Sequence, residues 1–253
     1  MKIVRPYMRM LTTGHVMPTI PTHTPNEIGA LEFVNWCGRI SHRSEDAEKQ
    51  DVERFLRAVI LGHGDWSIAE HVSVSVDALV DRGITHEIVR HRIAAYTQES
   101  TRFVNYAKKM PPAFIYPIVG VECKRCLEGE EVWHDGEWYH GDPEGKGIFE
   151  CTYDPAWLLS IAQAEASYRE LLSKWRPQEA RSVFPNALAS RIVITMNLRT
   201  WRHFFLMRTS AEAHPQMRQV TIPLLAEFQA AIPVLYEDIV PNARQIDNMS
   251  KAR

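Results

Sequence analysis

Residues 90–102 read Arg90-His91-Arg92-Ile93-Ala94-Ala95-Tyr96-Thr97-Gln98-Glu99-Ser100-Thr101-Arg102, placing three guanidiniums, an imidazole and several hydroxyl and amide groups in one short stretch. A guanidinium is a planar fork of donors that meets phosphate oxygens two at a time and stays charged at physiological pH. The stretch therefore suits a phosphorylated ligand. Just upstream, Gly83 is followed by Ile84, Ile88 and Val89 at helical spacing, which predicts a helix ending near Arg92. At about 100° per residue, Arg90 and Arg92 on that helix would point roughly 200° apart and serve two separate anionic groups. The competing reading is an exposed basic helix end interacting with its own dipole, worth roughly 0.3–1 kcal/mol.

The surrounding chain narrows the choice. Its 253 residues, 45% hydrophobic and 24% charged, can bury a substantial core as one large domain or two small ones. A net charge of −2 argues against a broad nucleic-acid footprint, so any anion site must be local. The Met1-Lys-Ile-Val-Arg-Pro6 start has no apolar signal-peptide core and no run has the length of a membrane span. The expectation is a cytoplasmic protein without membrane contact. Four cysteines, Cys37, Cys123, Cys126 and Cys151, do not suggest a disulfide scaffold. There is no Gly-x-Gly-x-x-Gly or Walker-type loop to cradle a pyrophosphate. Side chains must then recognise the phosphate.

Thr24-Pro25-Asn26-Glu27 offers a cap, a first-turn proline and a capping-box acid ahead of Ile28, Leu31, Val34 and Cys37 at helical spacing. A second helix is predicted from about Glu48 to Leu61, with Val52, Phe55, Leu56, Val59 and Ile60 on one face. His71–Val80 alternates Val72, Val74 and Val76 with Ser73, Ser75 and Asp77, the pattern of a half-buried strand. From Ile118 to Tyr153 the composition shifts to Gly, Glu, His and Trp. There Val132–Tyr139 reads as a hairpin about an Asp135-Gly136 turn, and 118–153 reads as an insertion. Further on, helices are predicted over Pro155–Trp175, after Pro177, over Leu198–Met207 and from His214 to about Tyr236, with a strand at Arg191–Met196. Pro223 and Pro233 predict kinks or breaks.

Arg90-His91-Arg92, then seven residues, then Ser100 resembles the signature of the flavin-dependent thymidylate synthases, and Arg102 completes its longer form. Ala95, Thr97 and Gln98 stand where that form usually has serine, asparagine and glutamate. Three further blocks resemble the same family in the same order. His63-Gly64-Asp65-Trp66-Ser67-Ile68-Ala69-Glu70-His71 is the first, Pro177 to Pro185 around Arg181 the second, and Asn197 to Gln216 the third.

The resemblance implies conversion of dUMP to dTMP, with methylenetetrahydrofolate as one-carbon donor, NADPH as reductant and FAD as hydride carrier. It assigns dUMP contacts to Glu87, Arg90, Gln98, Glu99, Ser100, Thr101, Arg102, Arg181 and Arg208. FAD contacts fall to Ser67, Arg90, His91, Arg92, Gln98, Asn197, Arg199 and His203. Arg208 is the catalytic candidate, because it falls where the family places the arginine that meets the pyrimidine ring. A nucleophilic Ser100 would need a neighbouring general base, and its neighbours are Glu99, Thr101 and Arg102, so hydrogen bonding to the dUMP phosphate is the role favoured for it. The implied fold is α+β, a central and largely antiparallel sheet flanked by helices. It forms a single domain over 1–253 with a small inserted hairpin, assembled as a homotetramer with sites at subunit interfaces.

Two rival readings stand beside this one. Cys123-x-x-Cys126 with Cys151 downstream, and with His134 and His140 between them, is compatible with a Cys3His zinc site. The second half lacks a paired spacing, so the expectation is a plain hairpin with reduced thiols and no metal. The other rival is a non-catalytic nucleotide-binding protein of the same fold that has kept the arginines.

Overall fold

In the computed structural model, the Val72–Val76 alternation forms a strand, Ser73–Asp81 (β3), with Val74, Val76 and Ala78 buried. Asp77 sits on the face expected to be polar, yet it is fully buried. Arg9 meets its Oδ2 with Nε at 3.1 Å and Nη2 at 2.9 Å, so the burial of the carboxylate is matched by a charge-assisted pair. The structure describes residues 2–12, 29–41, 43–44, 51–108, 111–123, 126–127 and 151–242. For 131–134, 137–141 and 148–149 it describes the backbone alone.

Four strands make the main sheet, in the order Tyr7–Met10 (β2), β3, Ala189–Asn197 (β9) and Ala95–Gln98 (β4). The sheet is antiparallel and flanked by helices, as expected from the sequence. Two smaller sheets accompany it. Lys2–Ile3 (β1) pairs in parallel with Ala113–Phe114 (β5). Glu131–His134 (β6), Glu137–Gly141 (β7) and Ile148–Phe149 (β8) pair antiparallel, with His134 opposite Glu137. The predicted hairpin is present with a third strand added, and its turn residues lie outside the described set.

The chain falls into two compact units. One comprises Met1–Tyr7, Leu79–Arg90 and Thr97–Ile192; the other comprises Met8–Ala78, His91–Tyr96 and Val193–Arg253. The first unit is built around the helix Pro155–Leu171, whose Asp154 cap accepts from the Ala156 and Trp157 amides. Its Tyr168 ring lies 4.4 Å from Phe184 and 6.0 Å from Tyr106, and Tyr168 and Tyr106 are buried. The second unit centres on Trp201, Phe204 and Phe205 of the helix Leu198–Arg208, packed on Phe228 and Tyr236. The two polar tips in this core are satisfied: Trp201 Nε1 donates to the Val74 carbonyl at 3.0 Å and the Tyr236 hydroxyl to that of Leu198 at 2.9 Å.

Several elements depart from the sequence reading. The first helix is described over Ala30–Ser41, and its predicted cap at Thr24 lies outside the described residues. The second runs from Val52 to Leu56 and continues as a π-helix to Gly62; Asp51 caps it, accepting from the Arg54 amide. The helix before the signature spans Arg82–Ile88 rather than reaching Arg92. At its end the Arg90 amide turns back to the Glu87 carbonyl at 3.3 Å, three residues away, in place of the four-residue step of a continuing helix. Beyond it the Tyr96 hydroxyl donates to the His91 carbonyl at 2.6 Å, and Ala95 begins β4. Arg90 and Arg92 are therefore not helical, and no helix sets them roughly 200° apart.

Later elements differ less. Pro155–Leu171 stops one turn short of Trp175, with the Trp175 amide on the Leu171 carbonyl. Pro233 breaks the last helix and starts a new short one, Pro233–Tyr236. Pro223 instead sits inside an unbroken helix, Pro215–Ala231, where buried Leu224, Leu225 and Phe228 hold the backbone despite the lost hydrogen bond.

Candidate functional site

In the first unit the signature's second half forms a network of hydrogen bonds. Gln98, at the end of β4, donates from Nε2 to the Thr85 hydroxyl at 3.2 Å and to the Ser190 hydroxyl at 3.0 Å. Both hydroxyls are buried, so a donor between them has a structural use. A glutamate there would be acceptor-only and would require each hydroxyl to turn and donate. The departure from the family pattern at Gln98 thus has a local reason. Thr85 and Ser190 were not among the sequence-derived candidates, since isolated hydroxyls in a helix and a strand carry no periodic signal.

Glu99 is fixed twice. Its amide donates to the Arg191 carbonyl at 2.8 Å, and its Oε1 accepts from the Tyr106 hydroxyl at 2.9 Å. Burial, with the Glu99 carboxylate beside it, pushes the Tyr106 phenol well above its usual range, so it stays a donor. Ser100 opens a turn, its carbonyl accepting from the Phe103 and Val104 amides and its Oγ from the Arg102 amide at 3.3 Å. Next to it, buried Thr101 offers its hydroxyl to Arg181 Nη1 at 2.6 Å, while Arg181 Nε donates to the Gln178 carbonyl at 3.2 Å. The 3-10 turn Arg181–Val183 that follows the short helix Pro177–Ala180 is what presents this guanidinium.

Of the other dUMP candidates in this unit, Arg90 lies exposed in the turn after the helix and Glu87 is half-buried on its last turn. Arg102 is exposed and stacks over the Phe103 ring at 5.6 Å, a ring that is itself 78% exposed. The structure joins Thr101 to Arg181 across 80 residues of sequence and places Gln98, Glu99 and Ser100 in the same run.

The second unit collects most of the remaining candidates. His91 is buried, 8% exposed, with its ring edge-on to Phe204 at 4.9 Å and 6.0 Å from that of His203. Arg208, in the last turn of the helix Leu198–Arg208, donates from Nε to His91 Nε2 at 3.0 Å. That contact needs an unprotonated Nε2. Burial, then the positive charge of Arg208 and the proximity of His203, push the His91 pKa down to about 4, so the ring is neutral near pH 7. The Arg208 carbonyl accepts from the Thr221 hydroxyl at 2.8 Å, which ties the helix end to Pro215–Ala231.

Asn197 is the N-cap of the same helix, its Oδ1 accepting from the Thr200 amide at 2.8 Å. Arg199 and His203, one turn apart, are both exposed, and Arg199 Nη1 pairs with Glu70 Oε1 at 2.6 Å. Ser67 stands in the 3-10 turn Trp66–His71, its hydroxyl on Asp65 Oδ1 at 2.7 Å. Arg92 is exposed. Glu70 lies inside a block already singled out in the sequence, but only the fold reveals that Arg199 is its partner.

Chemically, the first unit offers three candidate guanidiniums, at Arg90, Arg102 and Arg181, with hydroxyls and an amide, a donor set for an oxyanion. The second offers three guanidiniums, at Arg92, Arg199 and Arg208, beside a neutral imidazole. No helix of the described residues is long and apolar enough to cross a membrane.

Comparison with known proteins completes this description. A family profile described as "Thymidylate synthase complementing protein" matches residues 24–234. A Mycobacterium sp. (strain KMS) protein named flavin-dependent thymidylate synthase is 34% identical over 242 residues, covering 88% of this chain and 85% of that protein. One of the same name from Mycobacterium tuberculosis (strain ATCC 25177 / H37Ra) is 31% identical over 231 residues, covering 87% of this chain and 84% of its own. Among solved structures, a UMP/dUMP methylase from Streptomyces cacaoi bound with 5-Br dUMP superposes with a TM-score of 0.66 at 19% identity. The match covers 94% of this chain and 96% of that one and is a likeness of fold.

Proposed function

The chain belongs to the flavin-dependent thymidylate synthase family, and on that premise we propose that it converts dUMP to dTMP with methylenetetrahydrofolate, NADPH and FAD. The observation that carries the reading is the Arg208–His91 contact, a guanidinium held in place by an imidazole that burial keeps neutral. A positioned cation suits the uracil ring, where negative charge develops on the N3–O4 edge as hydride arrives. Stabilising such developing charge is the usual task of a fixed donor. His91 thereby acts as a positioning residue for Arg208.

For dUMP, Arg181 and Thr101 are already joined, and with Ser100, Arg102 and Arg90 they would grip the phosphate. Gln98, Glu99 and Glu87 would orient the nucleoside, with Glu99 held ready by Tyr106. Ser100 serves as a hydrogen-bond donor, because its Oγ lies on the Arg102 amide and the neighbouring Glu99 carboxylate is engaged by the Tyr106 hydroxyl. The donors of the second unit fit FAD. Arg92, Arg199 and His203 are exposed cationic or polar groups, Ser67 carries a hydroxyl, and Asn197 caps its helix through Oδ1, which leaves the amide nitrogen as a donor. FAD, when bound, supplies the hydride transfer that no side chain can perform. The protein's share is to orient planar ligands and offset phosphate charge.

We further read 1–253 as one synthase domain with an insertion at 118–153, working in the cytoplasm as a homotetramer on small-molecule substrates. Release of tritium from 5-tritiated dUMP, with and without FAD, tests the activity. Purified protein should be yellow, NADPH should bleach it anaerobically, and tritium release should require FAD and the folate. A colourless protein that cannot be reconstituted with FAD, yet binds dUMP, would instead establish a non-catalytic nucleotide-binding protein.

A further inference from the structure

Cys123, Cys126 and Cys151 converge in the first unit, their sulfurs all within 4.8 Å of one another and the Cys126–Cys151 pair at 3.5 Å. From this convergence we propose that the three thiolates hold one structural zinc ion at the base of the 118–153 insertion, the fourth position being left to water. A zinc–sulfur bond of about 2.3 Å sets the sulfur–sulfur edge of a tetrahedral site near 3.8 Å. The observed spacing brackets that value. A multi-iron cluster divides its cysteines among separate irons and so holds their sulfurs wider apart. A disulfide between Cys126 and Cys151 would draw two sulfurs to about 2.05 Å and leave the third without a purpose.

Two further observations separate a metal site from three thiols packed as small apolar groups. The first is the amides: Tyr153 N–H points at the Cys151 sulfur at 3.4 Å, and the Cys126 and Thr152 amides are directed at the Cys123 sulfur. Amide donors stabilise sulfur that carries negative charge, as thiolate ligands do. The second is placement. Cys123 and Cys126 precede the inserted strands, Cys151 follows them, and Thr152 Oγ1 bonds the Glu122 carbonyl at 3.0 Å across the same two stems.

The thiols rest in a small cluster with Ile3, Tyr153 and Leu158, bordered by Tyr116 and Trp157. A core this size benefits from a staple. One zinc closes the 25-residue span between Cys126 and Cys151. On binding, the three thiols release three protons to solvent and the ion gains three sulfur bonds, with no change of oxidation state.

The test uses the full-length protein purified without chelator from zinc-supplemented medium. Elemental analysis should find about one zinc per chain. Each of Cys123→Ser, Cys126→Ser and Cys151→Ser should lose it, while Cys37→Ser keeps it. Should the three variants prove insoluble, the wild-type chain still decides the matter by thiol titration and cobalt exchange. Of the four free cysteines, three should resist a thiol reagent until a chelator is added, and cobalt-exchanged protein should show thiolate-to-cobalt absorption in the near ultraviolet. Zinc far below one per chain, with every thiol reacting at once, would overturn the proposal. So would cobalt-loaded protein without the sulfur absorption.

Discussion

In the unit that carries Thr101 and Arg181, two of the candidate side chains are held by neutral partners, Gln98 by two hydroxyls and Arg181 by a hydroxyl and a carbonyl, while that unit's ion pairs, Arg5 with Glu122 and Arg169 with Glu165, lie outside the candidate residues. In the unit that carries His91 and Arg208, several guanidiniums face carboxylates, Arg199 against Glu70, Arg202 against Asp238 and Arg57 against Glu237. Arg208 differs in taking a buried imidazole at Nε. A neutral acceptor orients a guanidinium without cancelling its charge, whereas a carboxylate must be displaced or shared before an anionic ligand gains the full attraction. The contrast sorts the arginines by readiness. On the proposed roles, Arg181 would meet a phosphate directly, and Arg199 would first loosen its hold on Glu70.

The largest expected effect tests Arg208. Its replacement in Arg208→Ala should lower dUMP turnover roughly 10²- to 10³-fold, the scale seen when one positioned donor to a developing charge is removed. Single-turnover flavin oxidation in the presence of dUMP is the measurement. Wild-type rates with normal dUMP and flavin binding would remove Arg208 from the chemistry. Next comes Arg181→Ala, which should weaken dUMP binding by roughly 2–3 kcal/mol, or about 30- to 150-fold by calorimetry. Thr101→Val keeps the guanidinium but removes its orienting hydroxyl, and should cost about 1 kcal/mol. If Arg181→Ala and Glu70→Gln changed dUMP affinity equally, the distinction between neutral and charged partners would be meaningless.

Much of this contrast was legible in the sequence, though unevenly. The arginines and their order along the chain identified the family, and Val72–Val76 announced β3 because one face of that strand is apolar. β4 gave no such signal: Ala95 and Thr97 are exposed and Tyr96 and Gln98 half-buried, so no apolar face marks it. The helix before it was read too long for a related reason. Ile84, Ile88 and Val89 fit a helix, but the chain closes it with the Arg90 amide on the Glu87 carbonyl, a turn that apolar spacing does not encode. The partners of Arg181, Arg199 and Arg208 lie 80, 129 and 117 residues away, so the sequence named the arginines without the groups that hold them. The cysteines show the same limit, since Cys151 joins the Cys123-x-x-Cys126 pair only through the fold.

The imidazole that holds Arg208 gives the contrast a pH signature. His91 has a pKa of about 4 in the fold against an ordinary 6.5. Between those values the unfolded chain binds the proton and the folded chain does not. Stability from this group is therefore complete above about pH 6.5 and declines as pH falls toward 4, by on the order of 2 kcal/mol. Urea midpoints from pH 7.5 down to pH 4.5 should fall more steeply for the wild type than for His91→Gln, whose amide accepts from Arg208 but does not titrate. Parallel slopes would mean that His91 is protonated in the fold.

The smallest effect concerns the exposed Arg199–Glu70 pair. Both side chains are about half exposed, 49% and 46%, so solvent screens the attraction and the pair contributes at most about 1 kcal/mol to stability. Glu70→Gln should leave the urea midpoint nearly unchanged, while removing the carboxylate that competes for Arg199. If Arg199 faces the flavin's phosphates, FAD affinity measured by fluorescence should then rise a few-fold at low salt, and the gain should fade as salt increases. Arg199→Ala should lower the same affinity and abolish the effect of Glu70→Gln in the double variant. Additive effects would place Arg199 and Glu70 in separate roles. Non-additivity would show that the ion pair holds Arg199 in reserve for an anionic ligand, whereas Arg181 stands ready without one.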